Sequence, residues 1–284
     1  MIQVDVDGQA LGANKPAALA VMADARCFLA ALAGRLESMR DAMPLEARRR
    51  RLDHYAAAMR TERAKQDERL LDASVPMNTA HIAHTCQQVF PEGSVLVADG
   101  GNSTIWTMFF HQVRVPNRLL STFKFGMLGA GVSQALGAAA AFPDKPVCCI
   151  IGDGAMGFHP QEIETAVRLG SRVVYLVVCD KQWGMVKMNQ QFTLKPLKTL
   201  IFKSLGPDET IKADLGEIAF DRLAQSMGAH GERVADPREL KPAIERAIAS
   251  GGPAVIHVDV DPVKHMWAPG LMHFKDMHLE PKGK

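Results

Sequence analysis

The sequence IIGDGAMGFHPQEIETAVRLGSRVVYLVVCDKQWGMV, residues 150–186, joins two apolar strand-like runs through a segment with helical character. The first run ends in Gly152-Asp153-Gly154, and the second run ends in Cys179-Asp180. Apolar strands connected by a helix are typical of a parallel strand–helix–strand unit. Because the carboxyl ends of neighbouring parallel strands meet at one edge of a sheet, we predict that Asp153 and Asp180 lie close together.

Two acidic side chains at one sheet edge suit a hard divalent cation. Mg²⁺ takes oxygen ligands from the protein and completes its octahedron with phosphate and water. Gly154 and Ala155 allow the backbone to approach a phosphate closely, and the N–H groups of the turn favour an anion. Carboxylates beside a phosphate would repel it unless a metal ion lies between them. The stretch therefore predicts a site for Mg²⁺ and a phosphorylated ligand.

Two other interpretations compete with this metal site. In the first, the GDG sequence is an ordinary tight turn and Asp180 is a surface carboxylate. In the second, Gly152, Gly154 and Gly157 form the G-x-G-x-x-G fingerprint of a nicotinamide site. That fingerprint would leave Asp153 facing a pyrophosphate without a cation, and the acidic residue expected about 20 residues later is displaced to Asp180. The position of both acids at strand ends favours the metal site.

The sequence from residue 76 onwards alternates between strand-like and helix-like segments. The predicted strands are Ser94–Ala98, Pro146–Ile151, Arg172–Cys179 and Ala254–Val260. The predicted helices are Thr79–Phe90, Thr104–Gln112, Gly129–Ala141, Pro160–Leu169, Ile218–Met227 and Pro237–Ala249. Because the strands carry Val, Ile and Cys on both faces, they predict an α/β fold in which helices cover both faces of a parallel sheet. Ligands bind at the carboxyl edge of such sheets.

The chain is expected to contain four segments. Residues 1–36 begin with an alternating strand, Ile2–Asp7, and continue into an apolar helix from Asp24 to Leu36. One strand and one helix do not form a domain, so this segment is expected to be the C-terminal remnant of a second α/β domain. A charged helical linker is expected over residues 37–75, the main domain over 76–262 and a tail over 263–284.

Composition argues against several classes of protein. The net charge of +2 indicates neither a nucleic-acid partner nor a membrane partner. No apolar run reaches the roughly 20 residues that span a bilayer, and the acidic start at Asp5 and Asp7 is unlike a signal peptide. The five cysteines lack metal-site spacing and indicate reduced thiols. These features predict a cytoplasmic protein.

Several motifs resemble one enzyme family when they are taken together. Gly152-Asp153-Gly154 followed by Asp180 resembles the signature of thiamine diphosphate (ThDP) enzymes, in which an asparagine follows the GDG sequence. Three further segments resemble sequence motifs of that family: Asp99–Ser103 with Trp106, Gly126–Gly131 and Gly184–Val186. The chain thus resembles the acetolactate synthase and ThDP decarboxylase superfamily over nearly its whole length. Residues 1–36 resemble the end of the family's middle domain.

The resemblance implies a role for each candidate residue. Asp153, the side chain of Asp180 and the backbone carbonyl of Gln182 would hold Mg²⁺. The amides of Gly154 and Ala155 would bind the diphosphate. Further cofactor contacts would come from Gly101, Asn102, Ser103, Leu128, Gly152, Trp183, Gly184 and Met185.

Leu128 has the most specific of these implied roles, because a large apolar residue is needed beneath the two rings of the bent cofactor. Plain core packing is the alternative for Leu128 and also for Trp183. Two positions depart from the family pattern. Asp180 adds a negative charge where asparagine is usual, and Asn189 stands where acetolactate synthases carry an aromatic residue. The second departure leaves the acyl acceptor open.

The implied activity is cleavage or formation of C–C bonds in 2-oxo acids or related carbonyl compounds, dependent on ThDP and Mg²⁺. The activating glutamate of the family lies in a pyrimidine-binding domain that precedes the middle domain. No glutamate here is assigned to that role, so no catalytic residue is expected in this chain. A homo-oligomer or a separate pyrimidine-domain subunit would complete the site. The alternatives are a non-catalytic truncated module and one subunit of a two-chain enzyme.

Overall fold

The computed structural model describes residues 1–122 and 125–271. Two compact units make up the chain, Met1–Arg63 and Ala64–Lys284, and each is described by itself. The segment boundaries proposed from sequence remain predictions. Of the predicted tail, only residues 263–271 belong to the described part.

The described residues form eight β-strands and twelve α-helices. The strands are β1 Ile2–Asp5, β2 Leu19–Met22, β3 Leu96–Asp99, β4 Leu119–Ser121, β5 Val147–Gly152, β6 Val173–Cys179, β7 His230–Val234 and β8 Ala254–Asp259. The helices are α1 Ala25–Ser38, α2 Leu45–Asp67, α3 Ala80–Val89, α4 Gly101–Phe110, α5 Ala130–Ala141, α6 Asp153–Met156, α7 Glu162–Arg168, α8 Gly184–Leu194, α9 Pro196–Phe202, α10 Phe220–Ser226, α11 Pro237–Ala249 and α12 Pro262–Met266. Three short 3₁₀ turns occur at Arg40–Ala42, Glu68–Leu71 and Pro207–Glu209.

The first unit contains two short parallel strands, β1 and β2, followed by α1. Ile2 lies opposite Leu19 in this pair. Asp24 caps α1, because its carboxylate accepts a hydrogen bond from the backbone N–H of Cys27 at 3.0 Å. The first strand and the helix are as predicted, whereas β2 was not predicted. Four apolar residues without alternation give no periodic signal, and β2 is a strand because it pairs with β1.

The second unit is built on one six-stranded sheet. Its strand order is β4-β3-β5-β6-β8-β7, and every neighbouring pair is parallel. Parallel neighbours require crossover connections, which the intervening helices supply. This arrangement confirms the predicted α/β fold.

The central strands are buried on both faces, and alternate residues enter two separate cores. Along β5, Cys148 and Ile150 pack with α3, α4 and α11. Cys149 and Ile151 instead pack with α5, α7 and α10 on the opposite face. Each core buries apolar surface at roughly 25 cal/mol per Å². Burial on both faces explains why these strands are continuous apolar runs in the sequence.

The two edge strands, β4 and β7, were not predicted. Strand β4 has three residues, and β7 reads HGERV, in which one residue is fully buried. Edge strands have one paired side and little buried surface, so their sequences do not show the apolar pattern of a central strand. Their pairing with β3 and β8 makes them strands.

The cysteines agree with the prediction of reduced thiols. Four of the five are buried, Cys27 is exposed, and all five are free. None of the helices in residues 1–122 and 125–271 is both long enough and apolar enough to span a membrane.

The parallel arrangement brings the carboxyl ends of the six strands to one edge. There Asp99, the last residue of β3, joins the strand to the start of α5. Its Oδ1 accepts from Gly100 N at 2.6 Å, and its Oδ2 accepts from Gly131 N at 2.8 Å. A Cβ at Gly131 would lie only 2.6 Å from Asp99 Cβ, so this close approach requires glycine. These contacts fix the glycine-rich turn before α5 beside the strand ends.

Candidate functional site

Asp153 and Asp180 follow the paired strands β5 and β6, in which Gly152 lies opposite Val178. Both side chains are buried, Asp153 at 9% exposure and Asp180 at 7%. Asp153 Oδ2 accepts a hydrogen bond from the backbone N–H of Lys181 at 2.8 Å, which ties it to the end of β6. The structure therefore brings the two carboxylates together at the carboxyl edge of the sheet.

Burial of these two carboxylates has an electrostatic cost. Burial and the neighbouring Asp180 raise the pKa of Asp153 to about 6. Burial raises the pKa of Asp180 to about 7, although hydrogen bonds from Gln182 oppose the shift. Among the described residues, no lysine or arginine forms an ion pair with either carboxylate. A cation at this position would relieve their mutual repulsion.

A cavity of about 330 Å³ opens beside this pair, and we call it the glycine-lined cavity. Every site residue predicted from the sequence contributes to its lining: Gly101, Asn102, Ser103, Leu128, Gly152, Asp153, Gly154, Ala155, Asp180, Gln182, Trp183, Gly184 and Met185. These residues come from four separated segments that meet at the ends of β3, β5 and β6 and at the start of α5. Their location in one cavity is established, whereas their contacts to a cofactor remain predictions.

Three glycines form the walls of this cavity because larger residues do not fit. A Cβ at Gly154 would lie 2.6 Å from the ring of Trp183. At Gly101 it would overlap Met185 Cγ, and at Gly184 it would lie 2.7 Å from Asn102 Nδ2. Contacts below 3.0 Å force a neighbour to move, so the packing of the chain around the cavity requires glycine at these positions.

Asn102 stands out among the buried polar groups of the cavity. The residue is only 4% exposed, and neither its Oδ1 nor its Nδ2 has a hydrogen-bond partner in the part of the chain that the structure describes. A buried amide without a partner costs about 1–3 kcal/mol. Asn102 lies in the first turn of α4, a ten-residue helix whose N-terminus carries partial positive charge. The two observations together indicate a polar ligand at this position.

Gln182 is buried at the same edge, next to the two carboxylates. Its Nε2 donates to Asp180 Oδ2 at 3.0 Å and to the carbonyl oxygen of Pro262 at 2.9 Å. Its backbone forms an antiparallel bridge with Asp214. The side chain of Gln182 thus orients Asp180, a contact that sequence reasoning did not include.

Leu128 and Trp183 are the two lining residues for which plain core packing was the alternative. Leu128 is half-buried and packs against the core cluster that contains Val132 and Ile151. Trp183 is half-buried, and its ring contacts the exposed Phe158 edge-on with 6.1 Å between ring centroids. Both residues line the cavity, but only Leu128 also packs against the core.

His265 is a site residue that sequence reasoning missed. It lies in α12, its Nε2 is 3.9 Å from Asp180 Oδ2, and its Nδ1 is 2.9 Å from Thr79 Oγ1. Burial lowers the pKa of His265 to about 4, so the imidazole is neutral near pH 7. No motif surrounds His265, and its distance from Asp180 along the chain left no signal in the sequence.

The donor set suits a hard cation with few protein ligands. No group of three or more His, Cys, Asp and Glu side chains capable of binding a metal occurs within the described residues. Two carboxylates alone do not form a complete cage for zinc or calcium. Mg²⁺ fits better, because it is commonly held by one or two carboxylates together with phosphate oxygens and water.

Curated proteins with similar sequences are named as acetolactate synthases and 2-hydroxyacyl-CoA lyases. The chain is 31% identical over 212 residues to a probable acetolactate synthase of Mycobacterium bovis, covering 74% of this chain and 36% of that protein. It is 30% identical over 175 residues to 2-hydroxyacyl-CoA lyase 2 of Bos taurus, covering 62% of this chain and 26% of that protein. The chain spans about a third of the length of the curated relatives it matches.

A solved structure with a similar fold is benzoylformate decarboxylase from Polynucleobacter necessarius. The TM-score is 0.57 at 22% identity, covering 66% of this chain and 34% of that chain. At this identity the similarity shows the fold alone.

Residues 99–258 match the family model described as thiamine pyrophosphate enzyme, C-terminal TPP binding domain. This range is more than half of the chain, and it includes all thirteen predicted site residues. The chain therefore belongs to the thiamine pyrophosphate enzyme family and carries its C-terminal TPP-binding domain.

Proposed function

We propose that this chain binds ThDP through Mg²⁺ at the glycine-lined cavity and serves an enzyme that cleaves or forms C–C bonds. One observation carries the proposal: the buried carboxylates of Asp153 and Asp180 adjoin each other. In the described part of the chain, neither carboxylate forms an ion pair with a lysine or an arginine. Such a pair is costly alone and favourable around a divalent cation. Its position beside a cavity with glycine walls suits a metal that holds a diphosphate.

Each part of the cavity has a proposed task. Asp153 and Asp180 bind Mg²⁺, together with the backbone carbonyl of Gln182. The amides of Gly154 and Ala155 bind diphosphate oxygens. Asn102 and Ser103 donate to the same group, which would satisfy the unpaired amide of Asn102. These contacts anchor the cofactor at its charged end.

The apolar lining has a different task from the polar end. Leu128 supports the cofactor rings from beneath, while Trp183 and Met185 pack along the cofactor and exclude water. When bound, ThDP supplies a carbon centre that stabilises negative charge after cleavage of a bond next to a carbonyl. The chain's own contribution is to orient the cofactor and to keep the reacting region dry.

The proposed substrates are 2-oxo acids or related carbonyl compounds. The relatives named as an acetolactate synthase and a 2-hydroxyacyl-CoA lyase support this substrate class. Position 189 is asparagine rather than the aromatic residue of acetolactate synthases, so the acceptor is not assigned. The activating glutamate is proposed to come from a pyrimidine-binding domain outside these 284 residues. That domain would belong to a homo-oligomer or to a separate subunit. The proposed location of the enzyme is the cytoplasm.

The binding proposal is tested by calorimetric titration of the chain with ThDP. Saturable binding is expected in Mg²⁺ and none is expected in EDTA, because the two carboxylates repel the diphosphate when the metal is absent. Equal binding in both buffers, or no binding in either, would contradict the proposal.

A pair of glycine variants provides the matched control. Gly154→Ala places a methyl group 2.6 Å from the Trp183 ring and is expected to weaken ThDP binding at least tenfold. Gly137→Ala lies in α5 with nothing within 4 Å of its new methyl group, and it should leave binding unchanged. Similar behaviour of the two variants would mean that the glycine wall is not part of the cofactor site.

The catalytic proposal requires a separate assay. Release of CO₂ from pyruvate is measured with ThDP and Mg²⁺, first for the chain alone and then with a pyrimidine-domain chain added. Turnover that depends on the added chain is expected. Tight ThDP binding without turnover under either condition would favour a non-catalytic module.

A further inference from the structure

A second cavity of about 420 Å³ adjoins the glycine-lined cavity, and we call it the His257 cavity. It shares the wall formed by Asp153, Gly154 and Trp183 with the glycine-lined cavity. The rest of its lining includes Phe158, Leu215, Gly216, Ile218, Phe220 and His257. None of the roles proposed above uses this space, although its volume lies within the range of small-molecule sites.

His257 is the most unusual residue of this cavity. It lies in β8, is 1% exposed, and neither ring nitrogen has a well-formed hydrogen bond to a described residue. The nearest group is Asp259 Oδ1, 3.4 Å from Nε2. An imidazole buried in this way costs free energy unless a partner reaches it. The residue therefore indicates a ligand that supplies the missing hydrogen bond.

The surroundings of His257 specify which kind of hydrogen bond is missing. Asp259 accepts from Arg233 through both of its oxygens, so it can only accept hydrogen bonds. Its position beside Nε2 favours the tautomer that carries the proton on Nε2. Nδ1 is then left as an acceptor, and a ligand that complements it must donate an O–H or N–H.

The remaining lining specifies the body of the ligand. Phe158 and Ile218 are large apolar residues that are about half exposed at the mouth, and the Phe158 ring meets the Trp183 ring edge-on. Aromatic walls of this kind favour aromatic ligands. The charged residues at the rim are already paired, since Lys181 Nζ lies 2.6 Å from Glu217 Oε2. Asp153 in the shared wall would repel an anion when no metal is bound, and Lys181 and Glu217 already pair with each other, so an uncharged ligand fits the cavity best.

We propose that the His257 cavity is a second ligand site for an uncharged aromatic molecule that carries one hydroxyl or N–H donor. The donor reaches His257, and the aromatic body packs against Phe158, Trp183 and Phe220. The site shares the wall formed by Asp153, Gly154 and Trp183 with the proposed cofactor site, but His257, Phe158 and Phe220 have no proposed cofactor contact, so binding of the aromatic ligand can be tested without ThDP.

Calorimetric titration with 1-naphthol tests the proposal. Saturable binding with a Kd between about 10 µM and 1 mM is expected for a ligand of this size. The probe 1-methoxynaphthalene has the same rings without the donor and should bind about tenfold more weakly. His257→Leu should weaken 1-naphthol binding about tenfold and should remove the difference between the two probes.

Gly216→Leu provides a second variant that does not disturb the buried core. Gly216 lines the cavity and nothing lies within 4 Å of a Cβ there, so a leucine is tolerated and is expected to take up ligand space and reduce 1-naphthol binding at least tenfold. Gly137→Leu in α5 is the matched control and should bind as the unmodified chain does. Failure of 1-naphthol to bind would overturn the proposal. Binding that survives Gly216→Leu would also overturn it, because the probe would then occupy another site.

Discussion

Two regions at the same sheet edge shift the pKa values of their acidic side chains in opposite directions. At the end of β8, Asp259 accepts two hydrogen bonds from Arg233, at 2.7 and 2.8 Å. Burial alone would raise the pKa of Asp259, but contacts with His257 and Arg233 outweigh burial and hold the pKa well below its usual range. At the ends of β5 and β6, Asp153 and Asp180 are more deeply buried, and their pKa values are raised to about 6 and about 7.

Asp259 is a structural carboxylate, whereas the Asp153–Asp180 pair is suited to binding a ligand. The guanidinium of Arg233 stabilises the ionised carboxylate of Asp259, so this carboxylate needs no cation from outside the chain. The Asp153–Asp180 pair has backbone and amide donors but no cationic partner of its own in the described residues. A sequence that maintains such a pair against its cost indicates a function that requires it.

The largest expected effect is the loss of cofactor affinity on removal of one member of the pair. Asp153→Ala should weaken ThDP binding in Mg²⁺ at least 100-fold, or about 2.7 kcal/mol, because a metal ligand is removed. Calorimetry measures the effect. The matched variant Asp259→Ala should leave ThDP affinity within about twofold. If both variants weakened binding equally, the two regions would not differ in function.

The next effect is a dependence of metal-free stability on pH. Because the folded-state pKa values of Asp153 and Asp180 lie above the usual 3.8, their protonated forms stabilise the fold at low pH. The contribution of this pair to the free energy of unfolding should therefore fall, on the order of 2 kcal/mol, as pH rises from about 4 to about 7. Urea unfolding in EDTA measures this fall, and Mg²⁺ should reduce it.

Asp259 makes the opposite contribution in a different pH range. Its folded-state pKa is lowered, so it adds stability above about pH 4 that is lost only as pH falls further. Between pH 4.5 and 7.5 the lowered pKa values of His111 and His265 act in the opposite direction, so the Asp153–Asp180 pair is isolated by comparison with a variant. Asp180→Asn should make the slope of the metal-free profile more positive than that of the unmodified chain. A profile that is equally steep in this variant would show that other groups titrate.

A smaller effect is expected at His265, which lies beside Asp180 and Thr79 and lines the glycine-lined cavity but is not a proposed ligand of the metal or the diphosphate. His265→Gln should reduce Mg²⁺-dependent ThDP affinity about tenfold, because Asp180 loses a neighbour that orients it. His81→Gln is the control, since His81 Nε2 contacts the carbonyl oxygen of Asp72 at 2.8 Å away from the cavity. Equal affinities of the two variants would exclude an orienting role for His265.

The smallest effect concerns the structural carboxylate itself. Asp259→Asn should lower the free energy of unfolding at pH 7 by about 1 kcal/mol, since the partly exposed pair with Arg233 loses its charge. Asp236→Asn removes the charge of Asp236 from its pair with the exposed Arg238 and keeps a side-chain oxygen that can cap α11, so it should leave stability nearly unchanged. Thermal or urea unfolding distinguishes them. A change in ThDP affinity for Asp259→Asn would contradict the separation of the two regions.

Much of the fold could be predicted because the central strands are buried on both faces. Strands β3, β5, β6 and β8 are short apolar runs, and each was predicted to within two residues. The edge strands β4 and β7 could not be predicted, since they are strands only through pairing with a neighbour. Helix α8 was also not predicted, because its sequence begins with Gly184 and carries polar residues on a buried face.

The candidate site likewise contains some residues that local sequence patterns predict and others that only contacts between distant segments bring together. Glycines and acids at strand ends are local signals, since a tight turn and a close approach each restrict the residue types allowed. The contacts of His265 with Asp180 and of Asp99 with Gly131 join residues from separate elements. No local pattern indicates which residues pair in this way, because a contact between separate elements depends on how those elements pack.

The sequence by itself determined a parallel α/β fold, a GDG turn and two acids at the ends of neighbouring strands, because strand burial and turn geometry act over a few residues. The tertiary structure alone decided which carboxylate would be neutralised by the chain and which would be left for a cation. Arg233 reaches Asp259, whereas no such residue reaches Asp153 among those described. That difference depends on which side chains meet at the sheet edge, and this is a property of the assembled fold.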